Sequence, residues 1–328
     1  IVNGPVVIIA GPGSGKTRTL THRLAWLVAE RGVPASSCLA ITFTRRAARE
    51  MQERLGALLP TDAAVVVHTF HSLGLTMLRE HGDIVNVPRD FRVAGEAERT
   101  TMLAAALSVS PTRAERLLRA ISKAKRTGHP SDDVAAAMTV YREEMARRGW
   151  VDFDDLIGLA VQILSTDPGV AAQYRERLSW ISVDEFQDVD EQQYALLTKL
   201  APADGSLSVI GDPDQAIYGF RGADASCFDR FAEDYPNATT VRLTRNYRST
   251  GTIVTASSQV IARSKETDTI PAFVREMHER LTIHAAPTER AEAEFVVAEI
   301  ERLLGGHSFF SIDSGRSTGA GADALGFT

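Results

Sequence analysis

Residues 10–17 read Ala10-Gly11-Pro12-Gly13-Ser14-Gly15-Lys16-Thr17, directly after the apolar run Val6-Val7-Ile8-Ile9 and directly before Arg18-Thr19-Leu20. Leu24, Leu27 and Val28 continue downstream at helical spacing. Strand, glycine-rich turn and helix in that order are the context a phosphate-binding loop requires. The backbone N–H groups of such a turn and the helix N-terminus form a cradle for anionic oxygens. Lys16 is placed to reach the β- and γ-phosphates, and the Thr17 hydroxyl to ligate Mg²⁺. The set Ala10, Gly11, Pro12, Gly13, Ser14, Gly15, Lys16, Thr17 and Arg18 is therefore expected to hold a nucleoside triphosphate. A glycine-rich turn of a redox or sugar-binding fold is the alternative, and the flanking strand and helix argue against it.

Working outward, Cys38-Leu39-Ala40-Ile41-Thr42-Phe43 reads as a second buried strand, with Thr44 as N-cap of a helix over Arg45–Leu59. Val65-Val66-Val67 is a third strand, ending in His68-Thr69-Phe70-His71-Ser72. From about Leu73 to Trp150 the pattern turns helical, as an inserted subdomain would. Strands resume at Trp180–Val183, Leu207–Gly211 and Thr240–Leu243, and a helix is expected from Gly251. Leu281–His284 reads as a further strand and Glu289–Leu304 as a helix. The last 24 residues contain six glycines and read as loop or disorder. Short apolar strands alternating with helices predict a parallel α/β sheet with ligands at the strands' carboxyl ends.

No apolar stretch approaches the ~20 residues of a membrane-spanning helix. The only cysteines, Cys38 and Cys227, lack metal-ligand spacing, which argues against a zinc or iron–sulfur centre and suits a reducing cytoplasm. The net charge of −6 conceals an asymmetry. Residues 1–150 carry 21 Lys and Arg against 14 Asp and Glu, whereas residues 151–328 carry 15 against 28. The basic half includes Arg45, Arg46 and Arg49, and the run Arg113, Arg116, Arg119, Lys123, Lys125 and Arg126. That run reads as a solvated helix face unless other evidence places nucleic acid there.

Asp184-Glu185-Phe186-Gln187-Asp188 follows the strand ending at Val183. With a phosphate loop upstream, Asp184 is a Mg²⁺ ligand opposite Thr17 and Glu185 a base for the attacking water. Gly211-Asp212-Pro213-Asp214-Gln215-Ala216-Ile217-Tyr218-Gly219-Phe220-Arg221-Gly222-Ala223 follows another strand, where Gln215 could sense the γ-phosphate. Leu243-Thr244-Arg245-Asn246-Tyr247-Arg248-Ser249 is a fourth such run. Together with Thr42-Phe43-Thr44, Ala47-Ala48-Arg49-Glu50-Met51, Thr69-Phe70-His71-Ser72-Leu73 and Asp152-Phe153-Asp154-Asp155-Leu156, these runs resemble superfamily 1 DNA helicases of the UvrD/Rep/PcrA type. The resemblance covers nearly everything from Pro5 to about Leu304.

The resemblance implies a RecA-like domain from 1–75 and 172–250, a helical subdomain at 76–171, and the start of a second RecA-like domain at 251–328. It implies ATP and Mg²⁺ as ligands, with Lys16, Asp184, Glu185, Gln215 and Arg248 in the catalytic set. Tyr247 would stack on adenine, and Arg248 would be an arginine finger in cis. Thr42, Phe70, His71, Phe220 and Arg221 would meet single-stranded DNA, the two phenylalanines by stacking on bases. Asp152, Asp154 and Asp155 read as helix-start residues that cap α-helical N–H groups. The implied activity is ATP-driven 3′-to-5′ movement and duplex unwinding at single-strand/duplex junctions, in DNA repair or replication, alongside proteins of those processes. The implied setting is cytoplasmic and nucleoid-associated, with no membrane. Two alternatives stay open: an ATP-gated single-strand-binding module that does not unwind, and the helicase part of a helicase–nuclease. The sequence departs from the family pattern at Phe220, where Trp is frequent, and at Ala216, where Ser is frequent. The family's adenine-reading glutamine motif would lie ahead of Ile1 and its later motifs after Thr328, so the isolated chain is expected to hydrolyse ATP weakly.

Overall fold

The computed structural model describes residues 4–128, 130–217, 226–262, 271–275 and 280–304. Strand β1 (Val6–Ala10) feeds helix α1 (Lys16–Ala29), β2 (Cys38–Thr42) feeds α2 (Arg45–Leu58), and β3 (Val66–Thr69) feeds α3 (Phe70–His81). A short β4 (Arg92–Val93) leads into α4 (Glu96–Leu107), α5 (Pro111–Thr127) and α6 (Asp132–Arg147), and β5 (Trp150–Val151) leads out to α7 (Asp155–Thr166) and α8 (Pro168–Arg177). Then follow β6 (Trp180–Val183), α9 (Glu191–Leu200), β7 (Ser206–Gly211), α10 (Cys227–Asp234) and β8 (Thr239–Leu243).

Six strands form one parallel sheet in the order β3-β2-β6-β7-β1-β8. Strand β2 is buried at every residue, as a strand covered on both faces must be. Its alternate residues serve opposite cores. Cys38 and Ala40 pack with Leu24, Leu27, Met51 and Leu55 of α1 and α2. Leu39 and Ile41 pack with Phe70, Leu73, Met77, Ile157 and Leu197 on the other side. Local chemistry specifies the helix starts. The Thr44 hydroxyl accepts the Ala47 N–H at 3.1 Å, and Thr69 with Ser72 forms a reciprocal cap for α3.

The helical excursion divides. Ala94, Met102, Leu103, Leu118, Ile121, Met138 and Tyr141 form a core of their own on α4–α6. Helices α3, α7 and α8 instead share the core of the main sheet, because their apolar faces meet Leu39, Ile41 and Val183 directly. The span 76–171, expected as one helical unit, therefore contributes to two cores. Beyond β8, β9 (Arg245–Thr250) pairs in parallel with β10 (Ala272–Arg275), and α11 (Gly251–Ala262) lies between them in sequence.

Residues 280–304 belong to a second compact unit, separate from the one before it. Its described part holds α12 (Glu289–Leu303), capped by the Thr288 hydroxyl, with the His284 ring stacked on Phe295 at 3.8 Å. Leu281–His284, expected as a strand, forms none. Apolar alternation suits a strand, but a strand also needs a ladder partner, and the described residues of this unit offer none. Phe220, Arg221 and the glycine-rich 305–328 lie outside the described residues.

Candidate nucleotide and nucleic-acid site

The loop between β1 and α1 is shaped by glycines where the backbone enters the left-handed region: Gly13 at φ +67° and Gly15 at φ +88°. The Ser14 hydroxyl donates to the Gly11 carbonyl at 2.7 Å and closes the turn. Helix α1 begins at Lys16 with no acidic residue in its first turn, so the positive end of its dipole is left for an anion. Lys16 Nζ donates to the Ala10 carbonyl at 3.3 Å, which holds the ammonium over the loop.

Across the sheet, Thr17 Oγ1 donates to Asp184 Oδ2 at 2.9 Å, at the carboxyl end of β6. Burial, and then the charge of neighbouring Glu185, push the Asp184 carboxyl up to about 6. A buried carboxylate with a hydroxyl beside it is a hard-oxygen donor set. These residues fit Mg²⁺. Glu185 sits at φ +52°, a left-handed conformation uncommon for a residue with a side chain. That backbone turn carries its carboxylate to Gln187, whose Nε2 donates to Glu185 Oε2 at 2.8 Å. Gln187 Oε1 in turn accepts the Asp212 N–H at 3.0 Å. Gly211 leaves room for this bridge, since a Cβ there would lie 2.5 Å from Gln187 Oε1. Asp212 Oδ2 accepts from Gln215 Nε2 at 2.5 Å. One chain of contacts thus runs from Thr17 through Asp184, Glu185, Gln187 and Asp212 to Gln215. Gln187 stood in the sequence without an assigned role. Strand β9 completes the cleft, with the Tyr247 N–H donating to the Gly13 carbonyl at 2.8 Å and the Tyr247 side chain exposed.

A second concavity of about 270 Å³ is lined by Phe43, His71, Lys125, Phe153, Asp188 and Gln192 among others. His71 stacks on Phe153 with ring centroids 3.7 Å apart and planes inclined by 20°. Burial pushes the His71 imidazole down to about 4 against the opposing charge of Asp154, so it is neutral at pH 7. Phe153 is 51% exposed and presents a free ring face. Two residues expected to meet DNA are buried in this structure. Phe70 is 3% exposed and belongs to the sheet core, because its position at the first turn of α3 points it inward. Thr42 is 1% exposed, enclosed at the end of β2 between β3 and β6. Of the residues named from sequence, His71 does line the concavity, and Phe153 is the aromatic that sequence reading passed over. Phe153→Ala is expected to weaken single-stranded DNA binding by about 1–3 kcal/mol, the usual worth of one base-stacking ring, as read by fluorescence anisotropy.

Phe153 is held by ionic contacts on both sides. Lys125 Nζ lies 2.6 Å from Asp152 Oδ2 and 2.5 Å from Asp155 Oδ1, and Tyr141 donates to Asp152 at 2.6 Å. Arg126 pairs with Asp154 at 2.9 Å. Burial alone would push the Asp152 carboxyl up; the Lys125 ammonium and the donated hydrogen bonds outweigh it and hold it below the ordinary value. Of the three aspartates expected as caps, Asp152 does cap, accepting the N–H of Asp155 at the first residue of α7 at 2.8 Å, whereas Asp154 makes no side-chain capping bond. All three are in addition ion-pair partners of α5, and Asp155 returns a bond to the Asp152 N–H at 3.1 Å. Lys125 accordingly leaves the solvated face expected for its basic run, its side chain being 9% exposed.

Asp188 borders the same concavity, buried, with Oδ1 lacking a partner among the described residues. Burial and then the Glu185 charge push its carboxyl up to about 6. Its folded-state proton affinity exceeds that of the unfolded chain, so ionising it costs stability as pH rises from about 4 to 6. Asp188→Asn is expected to stabilise the fold at pH 8 by about 1–3 kcal/mol and to give no gain at pH 4, as measured by thermal unfolding at the two pH values.

The comparisons with known proteins agree with this geometry. The UvrD/REP helicase N-terminal domain matches residues 1–236, and the UvrD-like helicase C-terminal domain matches residues 241–313. An ATP-dependent DNA helicase PcrA of Leuconostoc citreum is 38% identical over 320 residues, covering 92% of this chain and 43% of that protein. Its namesake in Staphylococcus aureus is 37% identical over 316 residues, covering 90% and 43%. The chain thus spans less than half the length of the curated relatives it matches. By the match of these domains across most of its length, and by the phosphate loop and Asp184-Glu185 pair that face each other in its sheet, the chain belongs to the UvrD/REP helicase family.

Proposed function

We propose that this chain is the ATP-hydrolysing motor portion of a DNA helicase that moves 3′-to-5′ on single-stranded DNA. The observation that carries the reading is the Thr17–Asp184 contact at 2.9 Å, which joins a phosphate loop to an acidic strand end in one cleft. Lys16 and the loop N–H groups bind the phosphates, Tyr247 stacks on adenine, and Gln215 senses the γ-phosphate. Thr17 and Asp184 would hold Mg²⁺, which would neutralise charge on the phosphate oxygens when bound. Glu185 takes a proton from the attacking water as its oxygen forms the bond to the γ-phosphorus. The bond to the β-bridging oxygen then breaks, releasing ADP and inorganic phosphate, while Arg248 stabilises the charge that develops. A finger of this kind is worth about 10³–10⁵ in rate.

On the DNA side, His71, Phe153 and Phe43 line the strand's path, and Phe220 and Arg221 are further candidates for contact by resemblance alone. The Glu185–Gln187–Asp212–Gln215 contacts tie the catalytic carboxylate to Gln215 beside the phosphate loop. In domain terms, a RecA-like domain built from 1–75 and 172–250 carries a helical insertion, and a second RecA-like domain begins at about 251. Repair or replication in the cytoplasm, at single-strand/duplex junctions, is the setting that suits this motor; among the described residues no helix is long and apolar enough to cross a membrane. A strand-displacement assay tests the reading. Duplex with a 3′ single-stranded tail should be unwound in the presence of Mg·ATP and duplex with a 5′ tail should not. Binding of both without displacement would support an ATP-gated binding module instead.

A further inference from the structure

The strand that carries Tyr247 and Arg248 does not belong to the main sheet. Strand β8 is the sheet's edge, and β9 pairs only with β10 among the described residues. What joins β9 to the phosphate loop is a small set of contacts centred on Asn246, which is 4% exposed between two exposed neighbours. Asn246 Nδ2 donates to the Pro12 carbonyl at 2.7 Å. Asn246 Oδ1 accepts the N–H groups of Arg248 at 2.9 Å and Ser249 at 2.8 Å. Two N–H donors on one side and a carbonyl on the other leave a single orientation for the amide. The approach is close enough that a Cβ on Gly13 would lie 2.7 Å from Arg248 Cβ and 2.8 Å from Asn246 Oδ1. The Tyr247 N–H to Gly13 carbonyl bond joins the two backbones at 2.8 Å, and among the described residues Asn246 is the side chain that bonds to both the loop and β9.

We propose that Asn246 is a positioning residue that straps the adenine- and finger-bearing strand to the phosphate loop, so that base and phosphates are gripped at one fixed separation. The inference rests on the reading of Tyr247 as the adenine platform. It differs from a purely structural role in one respect: losing the strap weakens the grip on the base, and the grip on the phosphates is spared, because Ser14 and Gly11 close the loop without Asn246.

The test compares affinity for a fluorescent Mg·ATP analogue with affinity for Mg·tripolyphosphate, measured by competition on the same chain, with thermal unfolding as the check on folding. Asn246→Ala is expected to weaken the ATP analogue about tenfold, the loss of one well-made bond to a buried group, and tripolyphosphate far less. Asn246→Asp keeps the acceptor for Arg248 and Ser249 but cannot donate to Pro12, and it should behave like Asn246→Ala. The double substitution Asn246→Ala with Tyr247→Ala should be no worse than Tyr247→Ala alone, because both remove the same grip. Equal losses for the two ligands, additive losses in the double variant, or wild-type behaviour of Asn246→Asp would overturn the strap. If Tyr247→Ala leaves the preference for ATP over tripolyphosphate unchanged, the platform reading itself is wrong, and the strap falls with it.

Discussion

Glu185→Gln is expected to lower ATP turnover by about 10²–10⁴-fold, the usual contribution of a positioned general base, without weakening nucleotide binding. The side chain keeps its shape, and an amide at this position still meets Gln187, which donates to it at 2.8 Å. What is lost is the capacity to take a proton from water. The contacts proposed to bind phosphate, through Lys16, the loop N–H groups and the dipole of α1, are untouched. Steady-state turnover and equilibrium binding of a non-hydrolysable analogue separate the two. A loss confined to kcat marks an interaction made in the transition state. A parallel loss of affinity would mean that Glu185 shapes the cleft and does not act on the water.

Lys125→Met is expected to destabilise the protein by about 3–5 kcal/mol, the cost of leaving a buried carboxylate unpaired. Asp152 is 1% exposed and receives Lys125 at 2.6 Å, so removing the ammonium strands a charge that cannot reach water. Tyr141 still donates to it, and Arg99 stands 3.7 Å away, which keeps the loss toward the lower end of that range. Since Asp152 is held below its ordinary value of 3.8, its stabilisation is complete above that pH and fades as the solution is acidified below it. The difference between wild type and variant in urea unfolding should therefore be full at pH 7 and narrow toward pH 3. Single-strand affinity should fall as well, because Asp152 and Asp155 bracket Phe153 at the entry to α7. A change of less than about 1 kcal/mol at pH 7 would place the pair among ordinary surface contacts.

The sheet and the nucleotide cleft were legible in the sequence because their signals are local. Four- and five-residue apolar runs, a glycine-rich turn and acidic strand ends each declare themselves within a dozen residues. Exposure is not local, and the DNA side shows it. Phe70 and Phe153 both sit in motif-like runs, and only packing decides that the first faces the sheet core while the second stacks on His71 in the open. Lys125 left a readable trace. It continues the stripe Ala114, Leu118, Ile121 at heptad spacing, so the inward face of α5 runs into it. Its partners, some thirty residues downstream, did not announce themselves. Strand β9 was hidden for the same reason, since its ladder partner β10 begins only at Ala272. Asn246 stood inside a recognised run, but the carbonyl that gives it meaning belongs to Pro12, more than two hundred residues earlier.

The most direct test of the motor reading is ATP hydrolysis by this chain with and without single-stranded DNA, alongside Lys16→Ala and Glu185→Gln. The account predicts a low basal turnover that single-stranded DNA raises and that either substitution abolishes, with nucleotide binding lost in Lys16→Ala and kept in Glu185→Gln. Turnover indifferent to both substitutions, or nucleotide binding that survives the loss of Lys16 undiminished, would contradict it.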